Sequence, residues 1–374
     1  MNKIYKIVWS KAKHAYVVTS EVARSHTKSA SGKAVKAALA AAVGMGVLMG
    51  GYTANAADTT TGSGSGVAYG TGSNAPKAEN VAIGKDATIS YSGGVGMPST
   101  GDIVIGNKAK TNNYFDQGGG IAIGSNSFVE NMVGGLERSF DFNQAGYNTL
   151  PFIGKYGLPK HPDKMVTGVA IGQNTYARSG SVMLGTHNYK GALGDVTVDS
   201  AGVRSHNLLP FATALGANSY SHGLFSSVTG AYSIISSDYG SNSSAASKNF
   251  GATITGSLNS IESATSSSNY SGVANSIVGT ANRTANSNGS LIFGAGNEIT
   301  NSIDSLSGTP TDGGASAKDL ADTLRSAVRN SESGGATLAI GGGNKADYTQ
   351  KTSIIGVNNT VTGTSRRPST YNSI

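Results

Sequence analysis

One short phrase recurs along this chain: an apolar residue, any residue, a second apolar residue, a glycine, and three positions later a small or amide side chain. Four of the better copies are "VAIGKDATI" around Gly84, "IAIGSNSFV" around Gly124, "LIFGAGNEI" around Gly294 and "LAIGGGNKA" around Gly341. With the imperfect copies included, the glycine falls at Gly70, Gly84, Gly106, Gly124, Gly172, Gly185, Gly216, Gly230, Gly256, Gly279, Gly294, Gly341 and Gly356, thirteen in all. A fixed short period means one supersecondary unit stacked on itself. Neighbouring glycines are often 13 to 15 residues apart, too few for a helix pair but enough for two strands of about five residues and two turns. The predicted fold class is therefore all-β: a parallel β-solenoid, or β-roll, of about thirteen coils. At about 4.8 Å per layer the stack is roughly 60 Å long, and the longer gaps are absorbed as loop insertions.

Within a copy, the two-residue alternation of a strand sets Val81 and Ile83 on one face. We read that face as the inner one, with Ile89 returning to an inner position beyond the turn. Glycine is read as the bend, where a positive φ or a close approach of coils excludes a Cβ. Three residues later stand Asn188, Asn259, Asn282, Asn297, Asn344 and Asn359, which can form a ladder of stacked amides. At Gly341 the phrase also spells G-x-G-x-x-A through Gly343 and Ala346. A dinucleotide cradle would need a helix next and an acidic residue about twenty positions on. The residues after Ala346, "DYTQKTSIIG", re-enter a strand, and the glycine recurs at Gly356, so the motif is read as architecture.

Gly 53 in 374 residues is about twice the usual share, as many tight turns require. The net charge of +7 comes from the first 56 residues, which hold eight Lys/Arg and one Glu and leave twenty basic and twenty acidic residues beyond. Nucleic-acid binding needs a clustered basic surface, so no nucleic-acid partner is expected. Cysteine is absent, which excludes disulfides, thiolate metal sites and cysteine nucleophiles. No G-x-x-x-x-G-K-[ST], H-E-x-x-H or G-x-S-x-G occurs, and His161, His187, His206 and His222 stand at no metal-ligand spacing. The expectation is a non-enzyme with no cofactor and no metal. A hydrolase assembled across coils would need acids stacked in successive layers, whereas here they are sparse and fall mainly in loops.

Residues 30–56 carry the parts of a secretory signal behind Lys28: Lys33 and Lys36, an apolar run from Ala37 to about Gly51, and "ANA" at Ala54–Ala56, with cleavage after Ala56 or Ala57. The run is short for the roughly 20 apolar residues of a membrane span. A buried helix hairpin is the competing reading. Residues 1–29 are basic and aromatic, and "MNKIYKIVW", "VVTSEVA" and "SHTK" follow in an order that resembles the extended signal peptide region of large Gram-negative type V secreted proteins. The resemblance implies slow or late inner-membrane export through the Sec machinery, then outer-membrane delivery as an autotransporter or two-partner substrate. Trp9, His14 and His26 then belong to a removed leader.

From 67 to 363, after a linker at 57–66, the copies resemble the Hep/Hag-type repeats in the YadA-like heads of trimeric autotransporter adhesins. That family implies a left-handed roll, a homotrimer, and attachment to a host extracellular matrix protein or cell-surface receptor, with autoaggregation as a further role. A thin single-chain core makes trimerisation physically reasonable. A two-partner exoprotein would share leader and solenoid but carry NPN-type motifs, and no proline here follows asparagine. A solenoid surface or biofilm component would use the same rod. The tail, 364–374, ends in "TSRRPSTYNSI", with neither the heptads nor the alternating strands of that family's stalk and anchor. The expectation is therefore part of a longer product, or a truncated reading frame.

Three insertions interrupt the roll. The first, 131–167, holds Phe140, Phe142, Tyr147, Phe152 and Tyr156 beside Pro151, Pro159 and Pro162, a candidate adhesive loop because rings give large contact at low entropy cost. The alternative is a satellite core beneath the loop. The second, 190–211, carries Asp195, Asp199, Arg204 and His206. In the third, 300–336, Leu320, Leu324 and Val328 fall at i, i+4 and i+8, Ser316 and Asp319 can cap, and Gly334 follows, which predicts one short helix. For the leader the expected outcome is concrete: N-terminal sequencing of exported protein should read from Ala57 or Asp58, and a sequence starting at Met1 would defeat the assignment.

Overall fold

The computed structural model describes residues 5–10, 15–20, 61–92, 101–114, 118–131, 167–178, 180–188, 211–236, 249–263, 271–303 and 335–374, together with Asp322, Arg325, Ser326 and Arg329. The chain divides into two compact units, Met1–Ala57 and Asp58–Ile374. In the first, β1 (Tyr5–Ser10) and β2 (Ala15–Ser20) form an antiparallel pair.

The second unit is a parallel solenoid. Its main wall is a sheet of thirteen strands whose order in space follows their order in the chain, from Val67–Tyr69 to Ser353–Val357. Each strand runs up to or through one of the thirteen glycines, so every repeat read from the sequence is one coil. The facing wall has two parallel sheets: four strands from Thr88–Ser92 to Tyr176–Arg178, and seven from Tyr220–Ser221 to Thr360–Thr362. In the third insertion the described residues Asp322, Arg325, Ser326 and Arg329 are helical, and Arg325 pairs with Asp322 one turn back. Leu320, Leu324 and Val328 lie outside the described residues.

The glycines stack in one column. Their φ angles run from +118° at Gly70 to +140° at Gly216, a region closed to most L-residues. A Cβ on Gly84 would stand 2.5 Å from the carbonyl oxygen of Gly106, and one on Gly294 only 1.8 Å from that of Gly341. From Gly70 to Gly341, each glycine therefore leaves its missing side chain's place to the next coil's carbonyl. Two residues on, a second left-handed position recurs in every coil: Gly72, Asp86, Lys108, Asn126 and so on to Gly343 and Asn358. The G-x-G of Gly341 and Gly343 is this double corner, and Ala346 sits buried in the strand Lys345–Asp347. Backbone bonding continues through the corner, as in Asp86 N–H to Thr71 C=O at 2.8 Å and Asn358 N–H to Gly342 C=O at 2.9 Å.

The inner face differs from the expected one. Ala82 is fully buried, while Val81 and Ile83 are only half-buried on the outer side. The same holds down the main wall, whose central column includes Ala82, Val104, Ala122, Ala170, Ile254, Ile277, Ile292, Ala339 and Ile354. It packs against Ile89, Val129, Ala177, Ile235, Ile261, Ile299 and Ala346 from the facing wall. Ile89 is inner, as expected. The reversal has a steric cause: two walls closing in about fourteen residues leave a narrow interior that takes one small or medium side chain per strand.

The amide ladder forms over the last five coils. Asn282 donates its backbone N–H and its Nδ2 to Asn259 Oδ1 at 2.9 and 3.1 Å, and the pattern repeats from Asn297 to Asn282, Asn344 to Asn297 and Asn359 to Asn344. Up to Asn344 each Nδ2 also reaches the next coil's glycine carbonyl, as in Asn297 to Gly341 at 2.9 Å. Ser233 does the same with Gly256 at 2.8 Å. Asn188 does not join: buried, its side-chain atoms bond to none of the described residues.

The triplet Gly341–Gly342–Gly343 tests this geometry within one turn. Gly341→Ala should lower stability by more than the roughly 1–2 kcal/mol of left-handed strain alone, because its Cβ would also stand 1.9 Å from Gly356 O. Gly342→Ala should stay within about 0.5 kcal/mol, since its Cβ meets only Ala295 O at 3.6 Å. Urea midpoints of the two variants decide it.

Candidate functional site

Because the inner face takes the central residue of each strand, the outer face of the main wall takes the two flanking apolar ones. Val67, Tyr69, Ile103, Ile171, Leu215, Phe293, Ile340 and Ile355 stand 37–61% exposed there. The stripe is interrupted midway by Ser227, Thr229, Thr253, Thr255 and Ser276 at the equivalent positions. The facing wall presents the opposite chemistry outward. Arg283 forks onto Glu262, Nε to Oε1 at 3.0 Å and Nη2 to Oε2 at 2.7 Å, and bonds Glu298 at 2.8 Å, with Lys345 3.8 Å beyond. These bonds, that to Glu262 first, hold the guanidinium's pKa above its ordinary value. One long face is largely apolar, and the other carries this ionic cluster on neighbouring strands.

The candidate adhesive residues Phe140, Phe142, Tyr147, Phe152 and Tyr156 lie outside the described residues, as do the cleavage positions Ala54, Ala56 and Ala57. The base of their insertion is described. Asn131 Oδ1 accepts from Gly168 N–H at 2.9 Å, and Thr167 Oγ1 donates to Gly119 C=O at 2.7 Å, so the chain leaves and re-enters the roll at one point. Beside this base Phe128 and Tyr176 pack at 5.1 Å between ring centroids and join Tyr220 and Ile234 in a small cluster separate from the roll's core. All thirteen coil glycines sit at the corner of the main wall, and from Gly70 to Gly341 the place of the missing side chain is taken by the next coil's backbone.

Sequence reading passed over one buried acid. Asp102 lies immediately before its strand, and its side chain is fully enclosed. Its Oδ1 accepts from Gly120 N–H at 2.8 Å, and its Oδ2 from Tyr91 Oη at 2.9 Å and Asn113 Nδ2 at 2.9 Å. Asn131 Nδ2 continues the chain of amides to Asn113 Oδ1 at 2.9 Å. Burial pushes the Asp102 carboxyl up to about 6, against the opposing pull of the bonds from Tyr91, Gly120 and Asn113. The signal was positional: Asn80, Ser181, Asn275 and Ser290 fill the same pre-strand place in other coils, and Ser290 N–H bonds Asn275 Oδ1 at 2.9 Å as Gly120 bonds Asp102. Asp102 is a corner-ladder member, structural in its contacts.

Comparison with known proteins bears on the other end of the chain. Residues 1–50 match the family model described as the Extended Signal Peptide of Type V secretion system. The match covers the leader and none of the coils. The chain is also similar to the autotransporter adhesin NhhA of Neisseria meningitidis serogroup B, 55% identical over 40 residues at the N-terminus, which is 11% of this chain and 7% of that protein. No solved structure matches. The leader puts the chain on the type V route, exported and delivered to the outer membrane and cell surface.

Asp102 gives a pH test. Its pKa is raised on folding, so the stability linked to its proton is full below the ordinary carboxylate value of 3.8 and is lost as pH rises through about 6. Asp102→Asn should remove this dependence and gain up to about 3 kcal/mol on the wild type between pH 4 and 7.5. Urea midpoints against pH measure it. A constant difference between the two proteins would refute the shift.

Proposed function

We propose that Asp58–Ile374 is the head of a surface adhesin that works as a homotrimer and attaches to host extracellular matrix or cell-surface receptors. The observation that carries this reading is the outward apolar stripe of the main wall, Val67 to Ile355, on the side away from the Glu262–Arg283–Glu298 cluster. A soluble monomer rarely keeps so long an apolar face in water. Three copies turning these faces toward one another would cover the stripe and leave the facing walls and the insertions outside. The type V leader and the similarity to an autotransporter adhesin agree with that use. The chemistry of a rod whose described columns are glycine, amide and aliphatic is scaffolding, and adhesion by such a scaffold is non-enzymatic.

Adhesive contacts belong on the insertion at 131–167, which leaves the roll through a closed base and can vary without disturbing a coil. Phe140, Phe142 and Tyr147 are its sharpest candidates, followed by Phe152 and Tyr156. Three copies would raise weak single contacts by an avidity of about 10²–10⁴.

Light scattering of the mature chain should give three protomers. A triple change, Leu215→Asp, Phe293→Asp and Ile340→Asp, should give one protomer with the β circular-dichroism spectrum kept. Deleting 132–166 should keep the trimer and abolish most attachment to matrix-coated surfaces. A folded wild-type monomer would sink the assembly claim, open-ended polymers would favour a biofilm or surface-layer rod, and undiminished attachment after the deletion would move adhesion to the coils.

A further inference from the structure

The leader is more than a basic stretch in front of an apolar one. In β1 and β2 the register pairs Tyr5 with Ser20, Ile7 with Val18 and Trp9 with Tyr16. Directly paired residues share a face of an antiparallel ribbon, so Tyr5, Ile7, Trp9, Tyr16 and Val18 all fall on one side. Among the described residues no third strand pairs with this hairpin. A lone two-stranded hairpin is marginal in water, and one with an aromatic face needs a surface to lie on.

Three observations name that surface. Lys3, Lys6, Lys11, Lys13, Arg24 and Lys28 face only Glu21 in the first 29 residues, so the partner is anionic. Tryptophan and tyrosine are the side chains of the membrane–water boundary, where one part of the ring is apolar and the other wet. The apolar run that begins at Ala37 must itself meet the inner membrane, and only 16 residues, 21–36, separate it from the end of β2. Those residues span at most about 55 Å, so the hairpin is tethered close to the bilayer.

We propose that the β1–β2 hairpin docks on the cytoplasmic face of the inner membrane, its Tyr5–Ile7–Trp9–Tyr16–Val18 face at the lipid interface and the lysines outside the paired strands, Lys3, Lys11 and Lys13, against anionic headgroups. The precursor then has two membrane contacts, a peripheral hairpin and the inserting signal. The first holds the chain at the membrane before and during translocation.

Trp9 is the sole tryptophan in 374 residues, so intrinsic emission of the intact precursor reports this hairpin alone. With vesicles of phosphatidylethanolamine and phosphatidylglycerol, Trp9 emission should shift to the blue and become protected from acrylamide. Phosphatidylcholine vesicles should give a much smaller change. Salt at about 1 M, where the Debye length is about 3 Å, should release the anionic-lipid contribution. Replacing Lys3, Lys11 and Lys13 by Gln should weaken binding to anionic vesicles at least about tenfold without altering the strands' apolar pattern. Deleting 37–51 should weaken the shift but leave it present. An unchanged Trp9 spectrum in the full precursor, or a shift that vanishes with 37–51 and so reports only the inserting signal, overturns the proposal. So does a shift produced by RNA and not by vesicles.

Discussion

Everything in the second unit depends on one contact, the approach of each coil glycine to the carbonyl of the next. From Gly84 to Gly341 the space a Cβ would fill is taken by a backbone oxygen at 1.5–2.5 Å, so no other residue fits without separating the layers. That close stacking brings Asn259, Asn282, Asn297, Asn344 and Asn359 within bonding range of one another and of the glycine carbonyls. The corner thus joins a steric requirement to a polar one: the glycine admits the carbonyl, and the amide satisfies it. Where the amide is replaced by Ser219 or Ser233, a hydroxyl still reaches the glycine carbonyl of the following coil. At Asn188 the relay is broken, beside the longer gap to Gly216.

The repeat was legible because glycine at the corner has no substitute. Thirteen glycines read from the chain are thirteen corners in space, and the parallel order of the strands follows from their period. The facing was not legible. Alternation separates Val81 and Ile83 from Ala82 but does not say which set is inside, and hydrophobicity favours the larger pair. Interior width decides instead: a coil this short closes around Ala82 or Ala122, and the branched residues go outside. The same width explains Asp102, since a corner position that takes Asn80 or Asn275 has room for a carboxylate but no water for it. The second left-handed position was also invisible, because Asp86, Lys108, Tyr232 and Leu258 share no side-chain property.

For the proposed site the sequence indicated a location more than a mechanism. Phe140 to Tyr156 were singled out by composition, and the roll adds where their insertion is rooted: Asn131 and Gly168, joined by a hydrogen bond. Alternation did mark a second apolar set, but only once that set is placed outside does it become a surface seeking a partner.

The interruption of that surface carries a further consequence for assembly. Ser227, Thr229, Thr253, Thr255 and Ser276 replace apolar residues over three successive coils, while Leu215 on one side and Leu291 and Phe293 on the other keep the apolar pattern. Hydrophobic association would therefore be strongest in two zones, one built on the earlier coils and one on the last three, with a hydroxyl-lined stretch between them. The amide ladder runs from the hydroxyl-lined coils into the second zone, and the Asp102 network lies in the first. Ser233, Asn259 and Asn282 carry the same corner bonds through the hydroxyl-lined coils, so the interruption changes the chemistry of the outer face without loosening the corners behind it.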